Sequence, residues 1–194
     1  MRHLKLLLLA LLALTTTSLW RPMPAQAITI FYQATDLADA VPGEDLWQYS
    51  YTVTDFVFPM NWGFSIFFAL GLYEDLEDPP PVVNADWDVL SIQPDPNLPD
   101  DGFYDALALV DNASLADTFL VSFTWLGGGT PGSQPFTVNE FDEQGVCLQC
   151  PFLTGETVPV GQTVPEPSTV VLVGTGLLGI GRLIRRQGST RTSG

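Results

Sequence analysis

Alternation of apolar and polar side chains is the feature that most constrains the fold of this chain. Residues 47–53 alternate between large apolar and polar side chains, and residues 119–125 repeat the pattern. A period of two is that of a β-strand with one face in a core. Residues 64–72 are apolar at nearly every position, which predicts a central strand covered on both faces.

Shorter runs of β-forming residues complete the pattern, and clusters of Pro, Gly and Asp separate them. These runs are 28–33, 87–92, 106–110 and 135–141. No window between the two ends of the chain has a convincing helical period. Seven or so short strands over about 135 residues predict an all-β domain, a two-sheet β-sandwich, with a barrel as the structural alternative.

Charge is distributed very unevenly along the 194 residues, whose formal net charge is −15. Between Ile28 and Val164 there are 21 acidic residues but no Lys, Arg or His. This segment can therefore form no internal ion pair, and it offers no cation to nucleic-acid phosphates, which excludes nucleic acid as a partner. A solvated acidic coat is the favoured interpretation, and the mutual repulsion of the carboxylates makes cations the first partners to test.

Residues 1–27 have the three parts of a secretory signal peptide. Arg2 and Lys5 form the basic region, residues 6–14 are an unbroken Leu/Ala run, and residues 25–27 are a small-x-small cleavage site. The apolar run is too short to span the ~30 Å hydrocarbon layer of a membrane. We therefore predict Sec export and removal of this segment by signal peptidase.

A second pattern of three parts occupies residues 164–194. A stiff motif comes first, and its residues are Pro165, Glu166 and Pro167. An uncharged run follows, and a basic stop closes it with Arg182, Arg185 and Arg186. A helix over about 168–184 reaches the lower length limit of ~17 residues for a membrane span, with Arg182 snorkelling. The arginines would stay in the cytoplasm and leave the acidic domain, 28–163, outside.

This tail resembles a PEP-CTERM sorting signal, in which a Pro-Glu-Pro motif precedes an apolar segment and an arginine cluster. In that family the tail is read by an exosortase, an integral-membrane cysteine transpeptidase that cleaves near the motif. The resemblance covers about the last 30 residues. It implies a Gram-negative bacterium that makes exopolysaccharide, and a route through an inner-membrane intermediate to the cell surface or extracellular matrix.

Cys147 and Cys150 are the only cysteines of the chain. Because an exported protein meets an oxidising environment, a short-loop disulfide is the favoured interpretation. The alternative is a redox C-x-x-C motif, which normally opens a helix, but no helical pattern follows Pro151. A zinc site would need further Cys or His ligands, and the exported segment has none.

A Pro-rich acidic segment supplies the residues of a candidate calcium site: Asp95, Asn97, Asp100, Asp101 and Asp105. Ca²⁺ takes six to eight oxygen ligands, and carboxylates at this density can provide them. The spacing departs from an EF-hand, because Pro99 takes the third ligand position and Ala106 the closing one. Calcium is therefore the one cofactor hypothesis that the sequence offers.

Enzymatic chemistry has few residues to use in this chain. Without His or Lys the exported segment lacks the base of Ser-His-Asp, Cys-His and Ser-Lys machinery. Two carboxylates can still hydrolyse a glycosidic bond, although no pair stands out among the acids. Four tryptophans are candidates for stacking on sugars: Trp47, Trp62, Trp87 and Trp125. We predict core packing for three of them, and an exposed ring in a turn for Trp62.

We therefore predict a non-enzymatic exported protein of the cell surface or extracellular matrix, associated with exopolysaccharide. The alternatives are a carboxylate-based glycoside hydrolase and a calcium-dependent structural or adhesive module.

Overall fold

The computed structural model describes residues 28–162, which contain ten β-strands and no helix. The strands are β1 (Thr29–Asp36), β2 (Leu46–Thr54), β3 (Trp62–Phe68), β4 (Tyr73–Glu74), β5 (Trp87–Ile92), β6 (Gly102–Ala108), β7 (Phe119–Trp125), β8 (Pro135–Phe141), β9 (Cys147–Glu156) and β10 (Val158–Pro159). The all-β prediction is confirmed. Nothing in residues 28–162 is a helix able to cross a bilayer. The predicted signal peptide and C-terminal helix lie outside the described residues.

The strands form two sheets, as the sequence predicts, and each sheet has five strands, more in all than the seven or so predicted. Sheet A has the order β10-β1-β2-β7-β4, and sheet B has the order β5-β6-β3-β8-β9. Aromatic side chains from the two sheets meet in a common core. The ring centroid of Phe64 in sheet B lies 5.0 Å from that of Phe119 in sheet A, and Phe68 and Phe123 are 6.0 Å apart. The sheets thus pack face to face, as in a sandwich.

Strand β3 is central in sheet B, as its apolar composition predicts, because it pairs with both β6 and β8. It spans Trp62–Phe68 and ends before the predicted limit of residue 72. Gly71 adopts φ +81° in the turn that follows. This left-handed conformation is readily adopted by glycine, and it takes the chain across to β4 in sheet A.

A buried polar cluster around Gln134 joins the loop before β8 to the crossover from β9 to β10. The backbone N–H of Gln134 donates to Thr157 Oγ1 at 2.8 Å, and the Thr157 N–H donates to the Gln134 carbonyl at 2.9 Å. Tyr51 OH and Thr157 Oγ1 each donate to Gln134 Oε1 at 3.2 Å. The Gln134 amide donates to Tyr73 OH and to the Gly132 carbonyl. Every polar atom of the Gln134 side chain is therefore satisfied in the core.

Candidate functional site

The outward face of sheet B carries the most distinctive polar arrangement of the described residues. Along β6, Tyr104 and Ala106 are buried between the sheets. Phe103, Asp105 and Leu107 alternate with them, so they point to the opposite, outward face. The alternation therefore places a carboxylate between two apolar side chains in the interior of a sheet.

Hydrogen bonds link the carboxylate of Asp105 on β6 to polar side chains on β3 and β8. We call Asp105, Ser65, Thr137 and Asn139 the polar row. The register sets Ser65 of β3 between Asp105 of β6 and Thr137 of β8. Ser65 Oγ donates to Asp105 Oδ1 at 2.6 Å. Asn139 Nδ2 donates to Ser65 Oγ at 3.0 Å and to Thr137 Oγ1 at 3.2 Å. The row spreads over about 10 Å at the usual strand spacing.

Two acceptors of the polar row remain free for a ligand. Among residues 28–162, no hydrogen bond reaches Asp105 Oδ2 or Asn139 Oδ1. In the same residues, Tyr104 OH is the one fully buried side-chain polar atom without a partner. Asp105 Oδ2 and Asn139 Oδ1 also lack a partner but are not fully buried, so both atoms are in contact with solvent. Asn139 as a whole is only 8% exposed.

Apolar side chains flank the row on the same face. Phe67 and Phe103 are cross-strand partners, and they lie two residues from Ser65 and Asp105 along β3 and β6. Their ring centroids are 6.5 Å apart. Both rings are half-buried. On β5, Leu90 and Ile92 are 42% and 49% exposed. The register places them beside Asp105 and Phe103. We call the pair Phe67 and Phe103 the phenyl ledge.

Two shallow depressions lie at the ends of the polar row. One, of about 290 Å³, is lined by Asp105 together with Leu107, Phe141 and the 142–145 turn. The other, of about 380 Å³, is lined by Phe67, Thr137 and the end of β9. Since the polar row runs from Asp105 through Ser65 and Asn139 to Thr137, it connects the two depressions. We call the whole surface the sheet B groove.

Strand β9 departs from regular pairing next to this groove. Val138 pairs with Leu153, but Glu140 pairs with Gln149, so β9 has extra residues opposite Asn139. Such a bulge often re-aims a side chain or ends regular pairing beside a functional site. Cys147 and Cys150 lie in this exposed part of β9 and are joined by a disulfide. The motif lies in a strand, and so lacks the helix N-terminus that activates redox C-x-x-C thiols.

Burial raises the pKa of the Asp105 carboxyl above its ordinary value of 3.8. The hydrogen bond from Ser65 opposes this shift, and the negative charge of Asp88 adds to it. A raised pKa means that the folded protein binds this proton more tightly than the unfolded chain does. The contribution of Asp105 to stability is therefore fully present below about pH 4 and is lost as pH rises through its raised pKa.

The substitution Asp105→Asn should remove this pH dependence. Relative to wild type, the variant should gain stability progressively as pH rises from about 4 to 7. Melting temperatures of both proteins across this range measure the difference. Asp36→Asn, at the exposed end of β1, is the matched control and should follow wild type more closely. Parallel curves for Asp105→Asn and wild type would contradict the assignment.

The structure distributes the residues of the predicted calcium site over two places. Asp95 Oδ1 accepts from the N–H and the side-chain amide of Asn97, and Asp101 Oδ1 accepts from the N–H of Leu70. Asp100 pairs through its backbone with Asp95. Asp105 lies in the polar row instead. Within residues 28–162 no three His, Cys, Asp or Glu side chains converge to hold a metal. The described residues therefore lend the calcium hypothesis no support, and it stays a prediction.

The tryptophans are placed partly as predicted. Trp87 is buried, and its indole N–H donates to the Ser114 carbonyl at 2.8 Å. Trp47 and Trp125 are half-buried and pack against the core. The prediction for Trp62 is wrong: it begins β3, and its ring packs against Phe152 at 4.7 Å. The aromatic surface beside the polar row is formed by the phenyl ledge instead.

Comparison with known proteins identifies one segment of the chain. Residues 163–186 match the family described as the PEP-CTERM protein-sorting motif. No curated protein matches the chain. The match confirms the resemblance that the sequence predicts, and it includes Pro165, Glu166, Pro167 and the arginines of the basic stop. These residues lie outside the part that the structure describes. The motif indicates export and sorting to the envelope or surface of a Gram-negative cell, with recognition by an exosortase-like processing enzyme.

Proposed function

Because the chain carries a PEP-CTERM sorting motif, we propose that it is a non-enzymatic protein of the cell surface or extracellular matrix, associated with exopolysaccharide. The observation that carries this proposal is the order of the segments. A signal peptide pattern precedes the all-β domain, and the sorting motif follows it. Signal peptidase would remove the N-terminal segment and the exosortase-like enzyme would remove the C-terminal tail. The folded acidic domain would then be released outside the inner membrane.

The composition of the exported domain supports a binding role over a catalytic one. It has no His or Lys to serve as a general base or to activate a nucleophile. Its most developed polar arrangement, the polar row, consists of one carboxylate, two hydroxyls and an amide. Groups of this kind hold ligands by hydrogen bonds, and an extracellular matrix supplies hydroxyl-rich chains as its main component.

Changing Pro165, Glu166 and Pro167 together to alanine should block processing of the tail. The wild-type protein should be recovered from the cell surface or medium in a form shortened near the motif. The variant should stay in the membrane fraction with its tail, because the transpeptidase reads the motif. Fractionation followed by intact-mass measurement checks both expectations.

The control for this experiment is a triple alanine variant of the polar extension: Gln187, Ser189 and Thr190. It changes the same number of residues in the same tail and should be processed like wild type. If the motif variant were also shortened and released, sorting through this motif would be ruled out. The same mass spectra would show whether the signal peptide has been removed after Ala27.

A carboxylate-based glycoside hydrolase is a second candidate, favoured by one observation. Asp88 of β5 lies on the same outward face as Asp105 and diagonal to it across the β5–β6 pair, and its charge adds to the rise in the pKa of Asp105. Glycosidases divide the roles of acid and base between two such groups. Release of reducing ends from exopolysaccharide, abolished by Asp88→Asn, would establish this function. Binding without release favours the surface protein.

A further inference from the structure

We infer that the sheet B groove is a binding site for a neutral polysaccharide chain, whose hydroxyls donate to the free acceptors of Asp105 and Asn139. This inference rests on the proposed association with exopolysaccharide and deepens it. It assigns the binding to one face of one sheet, and it names the chemical class of the chain.

The unused hydrogen-bonding capacity of the groove defines what the ligand must offer. Ser65 donates to Asp105 and accepts from Asn139, and both amide protons of Asn139 are used within the row. Among residues 28–162, what remains is two acceptor atoms, Asp105 Oδ2 and Asn139 Oδ1, and one donor, the hydroxyl proton of Thr137, which only accepts within the row. A ligand must therefore bring donors. Sugar hydroxyls are donors that carry no charge, and hydrogen bonds to a carboxylate are stronger than those between neutral groups.

The charge of the surroundings excludes an acidic chain as the preferred ligand. Asp88 lies on the same face as Asp105, and the depression beside Asp105 also contains Asp142 and Glu143. No Lys, Arg or His lies between residues 28 and 164 to neutralise a uronate or a sulfate. A like-charged chain would be repelled by these carboxylates, whereas a neutral chain would meet no such repulsion.

The shape and polarity of the groove fit an extended chain of rings. The polar row runs across three strands and connects two depressions, so contact is offered over more than one sugar unit. The phenyl ledge runs parallel to the row on the same face. A sugar ring has a polar edge of hydroxyls and apolar C–H faces, so the row and the ledge can be contacted together.

Binding should be measured with full-length protein purified in mild detergent. The probes are the neutral and acidic fractions of the exopolysaccharide of the producing cells, separated by anion exchange. We expect wild type to bind the neutral fraction more tightly than the acidic one, equally well in EDTA. Loss of binding in EDTA would mean a cation-bridged ligand and would overturn direct hydroxyl recognition. Tighter binding of the acidic fraction would overturn the ligand class.

Two variants locate the site. Asp105→Asn should weaken binding of the neutral fraction about tenfold or more, because it replaces a charged acceptor with an amide. Phe103→Ala should weaken it about five- to tenfold by removing half of the phenyl ledge. Asp36→Asn makes the same charge change on sheet A and should leave binding unchanged. Melting temperatures establish that each variant is folded. If Asp105→Asn does not fold, the binding of Phe103→Ala tests whether the sheet B groove is the site.

The outcomes separate the two levels of the proposal. If wild type binds neither fraction, the association with polysaccharide itself fails. If wild type binds the neutral fraction but Asp105→Asn and Phe103→Ala bind it equally well, the association stands and the groove is the wrong surface. If light scattering shows that the variants break a dimer instead, the groove is an interface between two copies of the chain.

Discussion

Substituting alanine for Gln134 is expected to lower the free energy of unfolding by about 3–4 kcal/mol. The side chain is 1% exposed and forms hydrogen bonds with Tyr51, Thr157, Tyr73 and the Gly132 carbonyl. Removing it leaves the Tyr51 hydroxyl without its acceptor in the core, and each unsatisfied buried group costs about 1–3 kcal/mol. The cavity left by the amide adds to this cost.

Burial also raises the pKa of Tyr51 well above its ordinary value, so its hydroxyl stays a neutral donor across the usable pH range. The loss of stability in Gln134→Ala should therefore vary little between about pH 5 and 9, a range that lies below even the ordinary phenol pKa of about 10. Urea unfolding at several pH values measures both the size and the constancy of the effect. This distinguishes the Gln134 cluster from the polar row, in which Asp105 titrates.

Gln144→Ala is the matched control for this prediction. Gln144 lies in the exposed turn between β8 and β9, and its replacement should change stability by less than about 0.5 kcal/mol. Thr157→Val should destabilise as well, and less than additively with Gln134→Ala, because both residues belong to one network. A loss below about 1 kcal/mol for Gln134→Ala would show that water replaces the missing partner.

The fold could be predicted largely from the chain because the core strands alternate. In β2 and β7, inward-facing aromatic residues alternate with outward-facing residues that are mostly polar, and β5 and β8 have the predicted limits. β9 was missed because it is exposed along most of its length and contains Pro151 and Gly155, which obscure any period of two. β4 and β10 have two residues each, too few for periodicity to register.

The groove could not be predicted, because its parts are distant in sequence. Asp105 and Ser65 are separated by 40 positions, and Ser65 and Asn139 by 74. Only the register of β6, β3 and β8 brings them into one row. The one local clue is that Ser65 is a polar residue within the apolar run of β3. Asp105 was assigned to the calcium loop because it is near that loop in sequence, whereas strand β6 turns its side chain to the face of the sheet.

Phe64→Ala should be the most destabilising single change in the core, at about 3–5 kcal/mol. Phe64 has no exposed surface and lies on the central strand of sheet B. Its ring centroid is 5.0 Å from Phe119, 5.8 Å from Phe58 and 5.9 Å from Trp87. Truncation therefore opens a cavity between the sheets, where the backbone of a doubly paired strand cannot move in to fill it.

Phe67→Ala, on the same strand, separates the core from the groove. Phe67 faces outward and packs against Phe103, so the same truncation should cost about 1 kcal/mol or less in stability. It should nevertheless weaken binding of the neutral polysaccharide fraction about five- to tenfold, because it removes half of the phenyl ledge. Urea unfolding and the binding assay, run on both variants, give the two readouts.

The expected pattern is a crossed one. Phe64→Ala should lose stability and, where it remains folded, keep its affinity, whereas Phe67→Ala should keep stability and lose affinity. Equal stability losses would show that Phe67 is structural and that the outward face of sheet B is a second packed surface. Unchanged affinity in Phe67→Ala, with Asp105→Asn impaired, would confine recognition to the polar row. The alternation of buried and outward residues along β3 thus makes one strand serve both the core and the binding face.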